Sequence, residues 1–324
     1  MQAVLCREFG PPAALVVEDI APPVAGPGEV VVRIKAIGLN FFDTLIIQDR
    51  YQAKPALPFS PGGELAGTIE TVGPDCSWAK PGDRVMAYVK YGAARELLAI
   101  SEDDLIPIPD GLGFEVAASL AITYGTTLHA LADRGELHDG EVVAILGASG
   151  GVGQAAIEIA KLMGARVIAC ASRPEKLAFC RDMGADETVD YTTENLRDRL
   201  KQLTGGIGVD IVFDAVGDTY SEPAVRALAW RGRHLVIGFA AGEIPKIPLN
   251  LLLLKGADVR GVFWSEFVAR EPKAFADNMV QLMRWALDGR LKPHIHAVYP
   301  LAETAAALTE IAKRRVIGKI VVVP

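Results

Sequence analysis

The sequence predicts an α/β fold: a doubly wound parallel sheet beside a β-rich, partly open barrel. Three observations predict it. Near the middle, residues 142–163 run as apolar strand, glycine cluster and helix. Strand and helix then alternate with a period near thirty residues, as a parallel sheet with crossover helices requires. The first third instead holds short alternating runs broken by Pro and Gly turns, PPVAGPG, SPGGE, VGPD and KPGD among them.

The central stretch is VVAILGASGGVG, Val142 to Gly153. Val142, Val143, Ala144, Ile145 and Leu146 form an apolar run suited to a buried parallel strand. Gly147, Gly150, Gly151 and Gly153 follow, and QAAIEIAKLMGA then carries Ala156, Ile159, Ala160 and Met163 on one helical face. Strand, glycine turn and helix open a dinucleotide-binding unit: the glycines let the backbone approach a pyrophosphate, and the helix N-terminus offers free N–H groups. The usual G-x-G-x-x-G positions hold Ala148, Gly150 and Gly153. With Ser149, Gly151 and Val152 they are the candidate phosphate cradle.

The next strand, ARVIACAS, ends at Ala171, where an NAD enzyme would place an acid for the ribose hydroxyls. Ser172, Arg173 and Lys176 follow instead. A missing acid beside two cations suits a 2′-phosphate, so the expected cofactor is NADPH. Tyr191, after the third strand, is placed toward the same adenosine phosphate.

The other central elements keep the rhythm. Strands are expected at 142–146, 166–171, 187–190, 209–213, 233–238 and 258–262, and helices at 152–163, 174–183, 194–203 and 220–231. DIVFDAVG puts Asp214, Val216 and Gly217 at the end of the fourth strand; HLVIGFAAG puts Gly238 and Phe239 at the end of the fifth. Strand C-termini are where ligands bind in such sheets. In the first third, GEVVVRIKAIGLN alternates Val30, Val32, Ile34 and Ala36 against Val31, Arg33 and Lys35, the pattern of a strand with one wet face. The closing GKIVVVP is too short to stand alone and returns to the first domain. The expected division is 1–121 with 265–324 for the β-rich domain and 122–264 for the cofactor domain.

The 324 residues include 50% hydrophobic side chains and carry a net charge of −7, ample for two cores and without a basic field to attract nucleic acid. No apolar run approaches the length of a membrane span. MQAVLCREFG lacks the pattern of a signal peptide, and Cys6, Cys76, Cys170 and Cys180 show no paired spacing. A reduced cytoplasmic protein is expected.

IGLNFFD (37–43), PGGELAG (61–67), GDRV (82–85), ASGGVG (148–153), DAVG (214–217) and GKIV (318–321) together resemble the medium-chain dehydrogenase/reductase superfamily. The resemblance covers the whole chain, with a GroES-like barrel and a Rossmann domain, and is nearest to its zinc-free, zeta-crystallin-like quinone oxidoreductase branch. It implies an NADPH-dependent reductase of quinones or other conjugated carbonyls. Zinc alcohol dehydrogenases of similar outline place Cys where Asn40 stands and His where Gly63 stands, and carry a four-Cys lobe soon after GDRV. MAYVKYGAARELLAI has no Cys, and of the usual neighbourhood only Glu64 remains; zinc needs about three or four ligands, so no metal is expected. His294 and His296 have no third ligand nearby in sequence.

Hydride transfer then leaves an oxyanion to be stabilised or protonated. Asn40 can donate an amide N–H to it, and the resemblance also gives Asn40 the nicotinamide ribose. The resemblance further places Thr123 at the nicotinamide, and Phe263 and Lys319 complete the expected cofactor-binding set. Some quinone oxidoreductases that the sequence resembles have Tyr where Leu45 stands, so Tyr51 becomes the candidate proton donor. Phe239 and Trp264 are candidates to face the substrate.

Two other readings fit the residues. A 2-enoyl thioester reductase would need a basic channel, for which Arg50, Lys54, Arg314 and Arg315 are the only candidates. A non-catalytic NADPH-binding protein, structural or RNA-binding, is the other. The resemblance also implies a homodimer, with one active site per subunit in the cleft between domains. The unprotected edge strand Asp258 to Phe263 would pair around a two-fold axis, covered by PLNLLLLKG.

Overall fold

The structure is a computed structural model describing residues 1–324. It divides into two compact units, Met1–Ile122 with Lys273–Pro324, and Thr123–Pro272.

The first unit is built on a seven-stranded sheet. Its order is Ile295–Pro300, Lys319–Val323, Glu29–Leu39, Glu64–Val72, Arg84–Tyr88 and Leu105–Pro107, with Leu97–Ser101 also pairing Glu29–Leu39. The long Glu29–Leu39 strand organises the rest. Val30, Val32, Ile34 and Ile37 are buried with Leu65, Ile69, Val85, Ile320 and Val322. Arg33 and Lys35 face water as the alternation predicts, but Val31 is buried as well, because the strand is covered on both faces over Val30–Val32. The terminal strand does return to this sheet, pairing Ile320 with Leu39 and Val321 with Gly38.

The second unit is a six-stranded, wholly parallel sheet. The order is Glu187–Asp190, Arg166–Ala171, Val142–Leu146, Val209–Asp214, Leu228–Val236 and Asp258–Gly261. Numbered along the chain this is 3-2-1-4-5-6, the doubly wound order, whose direction reverses between Val142–Leu146 and Val209–Asp214. Ligands bind at that reversal, beyond the strand C-termini.

Three expectations are corrected here. The helix expected over 220–231 ends at Ala227, and residues 228–231 already belong to the fifth strand, because Val209 pairs with Leu228 before the register shifts. The edge strand stops at Gly261, so Phe263 is not in it but precedes a helix, Trp264–Arg270. That helix belongs to the second unit, where Phe267 stacks on His129 with ring centroids 3.9 Å apart, so the chain returns to the first unit at Lys273 rather than at 265. No helix is long and apolar enough to cross a membrane.

Candidate functional site

In the second unit the glycine turn is made by backbone. Gly147 has φ +72°, a left-handed conformation that favours glycine. This explains why Ala148 suffices at the next position: the tight turn is taken one residue earlier. Ala148 N–H donates to Cys170 O at 3.1 Å and Gly150 N–H to Gly147 O at 3.0 Å, fixing the turn between two strands. Gly150 precedes the helix Gly151–Leu162 in extended conformation. A Cβ on Gly153 would lie 2.3 Å from Gly147 O, so this glycine is required by contact of helix and turn. A Cβ on Gly150 would meet only Gly147 O, at 3.5 Å, which leaves open space before the helix N-terminus. Free N–H groups, a positive dipole end and room for a bulky anion fit a dinucleotide pyrophosphate. Thr127 Oγ joins this turn to the preceding segment, donating to Thr123 O at 2.8 Å and lying 3.3 Å from Val152 O. Thr123 itself is buried.

Ala171 closes its strand fully buried, with Ser172 half-buried behind it. Arg173 stands in extended conformation ahead of the helix Pro174–Asp182, its side chain 47% exposed and 3.5 Å from Glu175. Lys176 is buried in the first helical turn. The two cations therefore differ: Arg173 reaches solvent and Lys176 packs inward. Tyr191 N–H donates to Ala171 O at 3.3 Å, and its ring packs on Tyr220, with centroids 4.5 Å apart.

The turn after the fourth strand is held by Asp214, which sequence reasoning placed but gave no role. Its Oδ1 accepts from Val216 N–H at 2.9 Å and Gly217 N–H at 2.8 Å, while Oδ2 accepts from Ser221 Oγ at 2.5 Å and lies 3.3 Å from His234 Nε2. Burial alone would raise this carboxyl; the hydrogen bond and charge of His234, then the N–H and hydroxyl donors, hold it below its usual range. Gly217, at φ +73°, packs against Phe239, whose ring edge would lie 2.8 Å from an added Cβ. The Val216–Gly217 and Gly238–Phe239 turns thus meet, and Gly147 lies close to Val216. Phe263, expected to bind the cofactor, is half-exposed ahead of its helix.

The first unit gathers a second cluster, made of side chains. Asn40, Asp43, Glu64 and Lys319 are all buried. Lys319 Nζ donates to Asn40 Oδ1 at 2.6 Å and to Glu64 Oε1 at 2.5 Å. Asn40 Nδ2 donates to Glu64 Oε1 at 2.8 Å and to Gly38 O at 3.3 Å. Glu64 Oε2 accepts from Ile122 N–H at 2.8 Å. Asp43 accepts from the N–H groups of Asn40, at 2.7 Å, and Gly62, at 3.0 Å. Burial pushes the Asp43 carboxyl up to about 7, and those two N–H groups and the Lys319 charge keep it from rising further.

This cluster bears on two expectations. Both hydrogens of the Asn40 amide are already taken, so it has none left for an oxyanion; what it can offer is one lone pair of Oδ1. Lys319, expected as a cofactor ligand, commits two of its three N–H donors to Glu64 and Asn40. Tyr51 is stacked on Phe42, centroids 5.1 Å apart, and burial followed by the Asp43 charge raises its phenol, so it stays neutral and is a weaker acid than a free tyrosine. Sequence reasoning kept Glu64 only as a remnant. The available signal was a lone acid and a lone lysine in two apolar strands, ELAG and KIVVV, that flank the same neighbour.

A GroES-like barrel unit joined to a doubly wound dinucleotide unit defines the medium-chain dehydrogenase/reductase class. Residues 26–110 match the alcohol dehydrogenase GroES-like domain and residues 151–285 match the zinc-binding dehydrogenase domain. The chain is 37% identical over 325 residues to the quinone oxidoreductase-like protein 2 homolog of Nematostella vectensis, covering 99% of this chain and 88% of the relative. It is 38% identical over 321 residues to a quinone oxidoreductase of Pseudomonas aeruginosa, covering 98% and 97%. Escherichia coli quinone oxidoreductase, solved with NADPH, superimposes with TM-score 0.92 over all of both chains at 28% identity. The chain belongs to the quinone oxidoreductase family of that class and is an NAD(P)-dependent oxidoreductase.

Proposed function

We propose that the protein transfers hydride from NADPH to a quinone or another conjugated carbonyl without help from a metal ion. The observation that carries this reading is the Asn40 cluster. At the two positions where zinc-dependent relatives would supply ligands stand an amide committed to Lys319 and Glu64, and a glycine. A side chain at Gly63 would begin 2.5 Å from the tip of the Phe42 ring and 3.1 Å from Lys90 O, so a histidine there would have to displace the ring. Glu64, the one remaining donor, is engaged with Lys319 and Ile122 N–H. Such a donor set does not fit zinc.

Bound NADPH supplies the hydride. The protein orients it: the 147–153 turn receives the pyrophosphate, Ser172 and Arg173 take the 2′-phosphate in place of an acid at Ala171, and Asn40 Oδ1 accepts from a hydroxyl or amide N–H at the nicotinamide end. Thr123, tied through Thr127 to the turn, lines that end. Tyr51, neutral across the physiological range, holds a proton that a product oxyanion can draw on.

Single-turnover NADPH oxidation against a panel of quinones, enones and enoyl thioesters tests the reading. Oxidation by quinones or enones that persists after exhaustive chelation is expected. Turnover restricted to thioesters, or loss with chelator and recovery with zinc, would overturn it.

The working protein is a homodimer joined through the edge of the second unit's sheet. Asp258–Gly261 is an edge strand, and Leu249, Leu253 and Leu254 just before it are between 72% and 80% exposed. An unpaired strand edge beside exposed leucines is an association surface that a second copy satisfies.

A further inference from the structure

We infer that Lys319 and Glu64 form a buried ionic clamp that fixes the amide of Asn40 in one orientation, so that Lys319 is a positioning residue and not a cofactor ligand. This rests on the reading of Asn40 as the group that meets the nicotinamide end of NADPH.

The orientation of an asparagine amide is set by its partners. Here they leave no choice. An ammonium has only donors, so the atom 2.6 Å from Lys319 Nζ must be oxygen. An ionised carboxylate has only acceptors, so the atom 2.8 Å from Glu64 Oε1 must be the NH2 group. Turning the amide over would set donor against donor and acceptor against acceptor at once. Residue 40 is read at both ends, and Asn answers both.

The sheet makes this possible. Gly38 lies opposite Glu64 on one side and opposite Val321 on the other, so the strands that carry the acid and the cation flank it. A Cβ on Gly38 would lie 2.6 Å from Glu64 Oε1 and 2.1 Å from Ala118 O, so only glycine admits the carboxylate there. Lys319 is 2% exposed and Glu64 fully buried. A buried ion pair is often no more stabilising than apolar residues of the same volume, so stability alone is a weak reason for it. The clamp supplies another: both amide hydrogens and one lone pair are committed, and a single acceptor lone pair is left for ligand. The ligand group it takes is a neutral donor, a hydroxyl or amide N–H, and never an oxyanion.

Charge exchange in the clamp tests this, read as NADPH affinity by fluorescence titration and as melting temperature, neither of which needs turnover. Asn40→Asp puts a carboxylate oxygen against Glu64 and should weaken NADPH at least tenfold. Adding Glu64→Gln removes the like charge and should recover part of the affinity, about threefold over Asn40→Asp alone; recovery stays partial, because the oxygen that faces residue 40 also accepts from Lys319 and an amide cannot serve both contacts. Lys319→Met with Glu64→Gln removes both charges together. It should melt as a folded protein yet bind NADPH about tenfold more weakly, because the amide is free to turn. Losses in Asn40→Asp that Glu64→Gln fails to relieve, or parental affinity in the folded neutral pair, would overturn the clamp. Should the neutral pair not fold, the Asn40→Asp rescue decides alone. Failure to oxidise NADPH with any carbonyl would instead sink the proposed reaction and leave these binding results standing.

Discussion

The glycine turn of the second unit and the amide clamp of the first do comparable work by opposite means. The turn is contiguous, from Gly147 to Gly153, and acts through backbone groups that any sequence able to take the conformation would supply. The clamp joins Asn40, Glu64 and Lys319, with Lys319 lying 279 positions from Asn40, and acts through three particular side chains. A backbone site depends on what is absent, the Cβ atoms of a few glycines. A side-chain site depends on complementary charge that only sheet register brings together. The two should therefore fail differently when mutated.

The largest loss is expected in the clamp. Lys319→Met alone leaves the Glu64 carboxylate buried and unpaired, and should cost about 3–5 kcal/mol in urea unfolding. A loss under 1 kcal/mol would mean that Glu64 takes up a proton or finds another partner with little strain. In the turn, Gly153→Ala forces a Cβ against Gly147 O and the Ala148 backbone, and about 2–3 kcal/mol of destabilisation follows. Gly150→Ala sharpens the contrast. Its Cβ meets only Gly147 O at ordinary distance, so stability should stay within about 0.5 kcal/mol while NADPH affinity falls. Equal stability losses at Gly150 and Gly153 would show that the turn is not divided into a packing glycine and a ligand-facing one.

The same difference decides what the sequence reveals. Five of the six central strands could be placed to within a residue or two, because each is an apolar run between turn residues and no distant partner is needed to recognise it. The glycine turn was legible for the same reason, down to the tolerance of Ala148. Leu228–Val236 was mis-started because Trp230–Arg231 continue a helical reading, and only pairing with Val209 turns them into strand. Asn40 was legible as a candidate from its motif, but its chemistry was not. Whether an amide offers hydrogens or a lone pair depends on Glu64 and Lys319, and nothing local to IGLNFFD states that they converge there. Lys176 shows the same limit: its spacing from Arg173 reads as a pair of cations, while burial separates the two.

That separation predicts which cation matters to the cofactor. Arg173 keeps its guanidinium toward solvent beside Glu175, so Arg173→Ala should weaken NADPH by about 1–3 kcal/mol, one charged hydrogen bond, and leave NADH unchanged. Titration of both cofactors against one variant checks it. Equal losses for NADPH and NADH would place Arg173 away from the 2′-phosphate.

The smallest effect on the fold, with a clear effect on assembly, is expected at the sheet edge. Val262 N–H donates inward to Val236 O at 3.1 Å, so a proline there would break the ladder and confuse the fold with the interface. Hydrogen bonding alternates along a strand, so the N–H and C=O of Val259 point away from Leu228–Val236, toward the open edge. Val259→Pro removes that outward donor and leaves the inward ladder intact, as proline is tolerated on edge strands. Chemical unfolding should change by no more than about 1 kcal/mol. If two copies pair along this edge, sedimentation at micromolar concentration should show a wild-type dimer and a Val259→Pro monomer. The wild-type melting temperature should also rise with protein concentration, as for any fold stabilised by self-association, and that of the variant should not. A wild-type monomer, or a dimer untouched by Val259→Pro, would show that the exposed leucines and the open edge meet something other than a second copy.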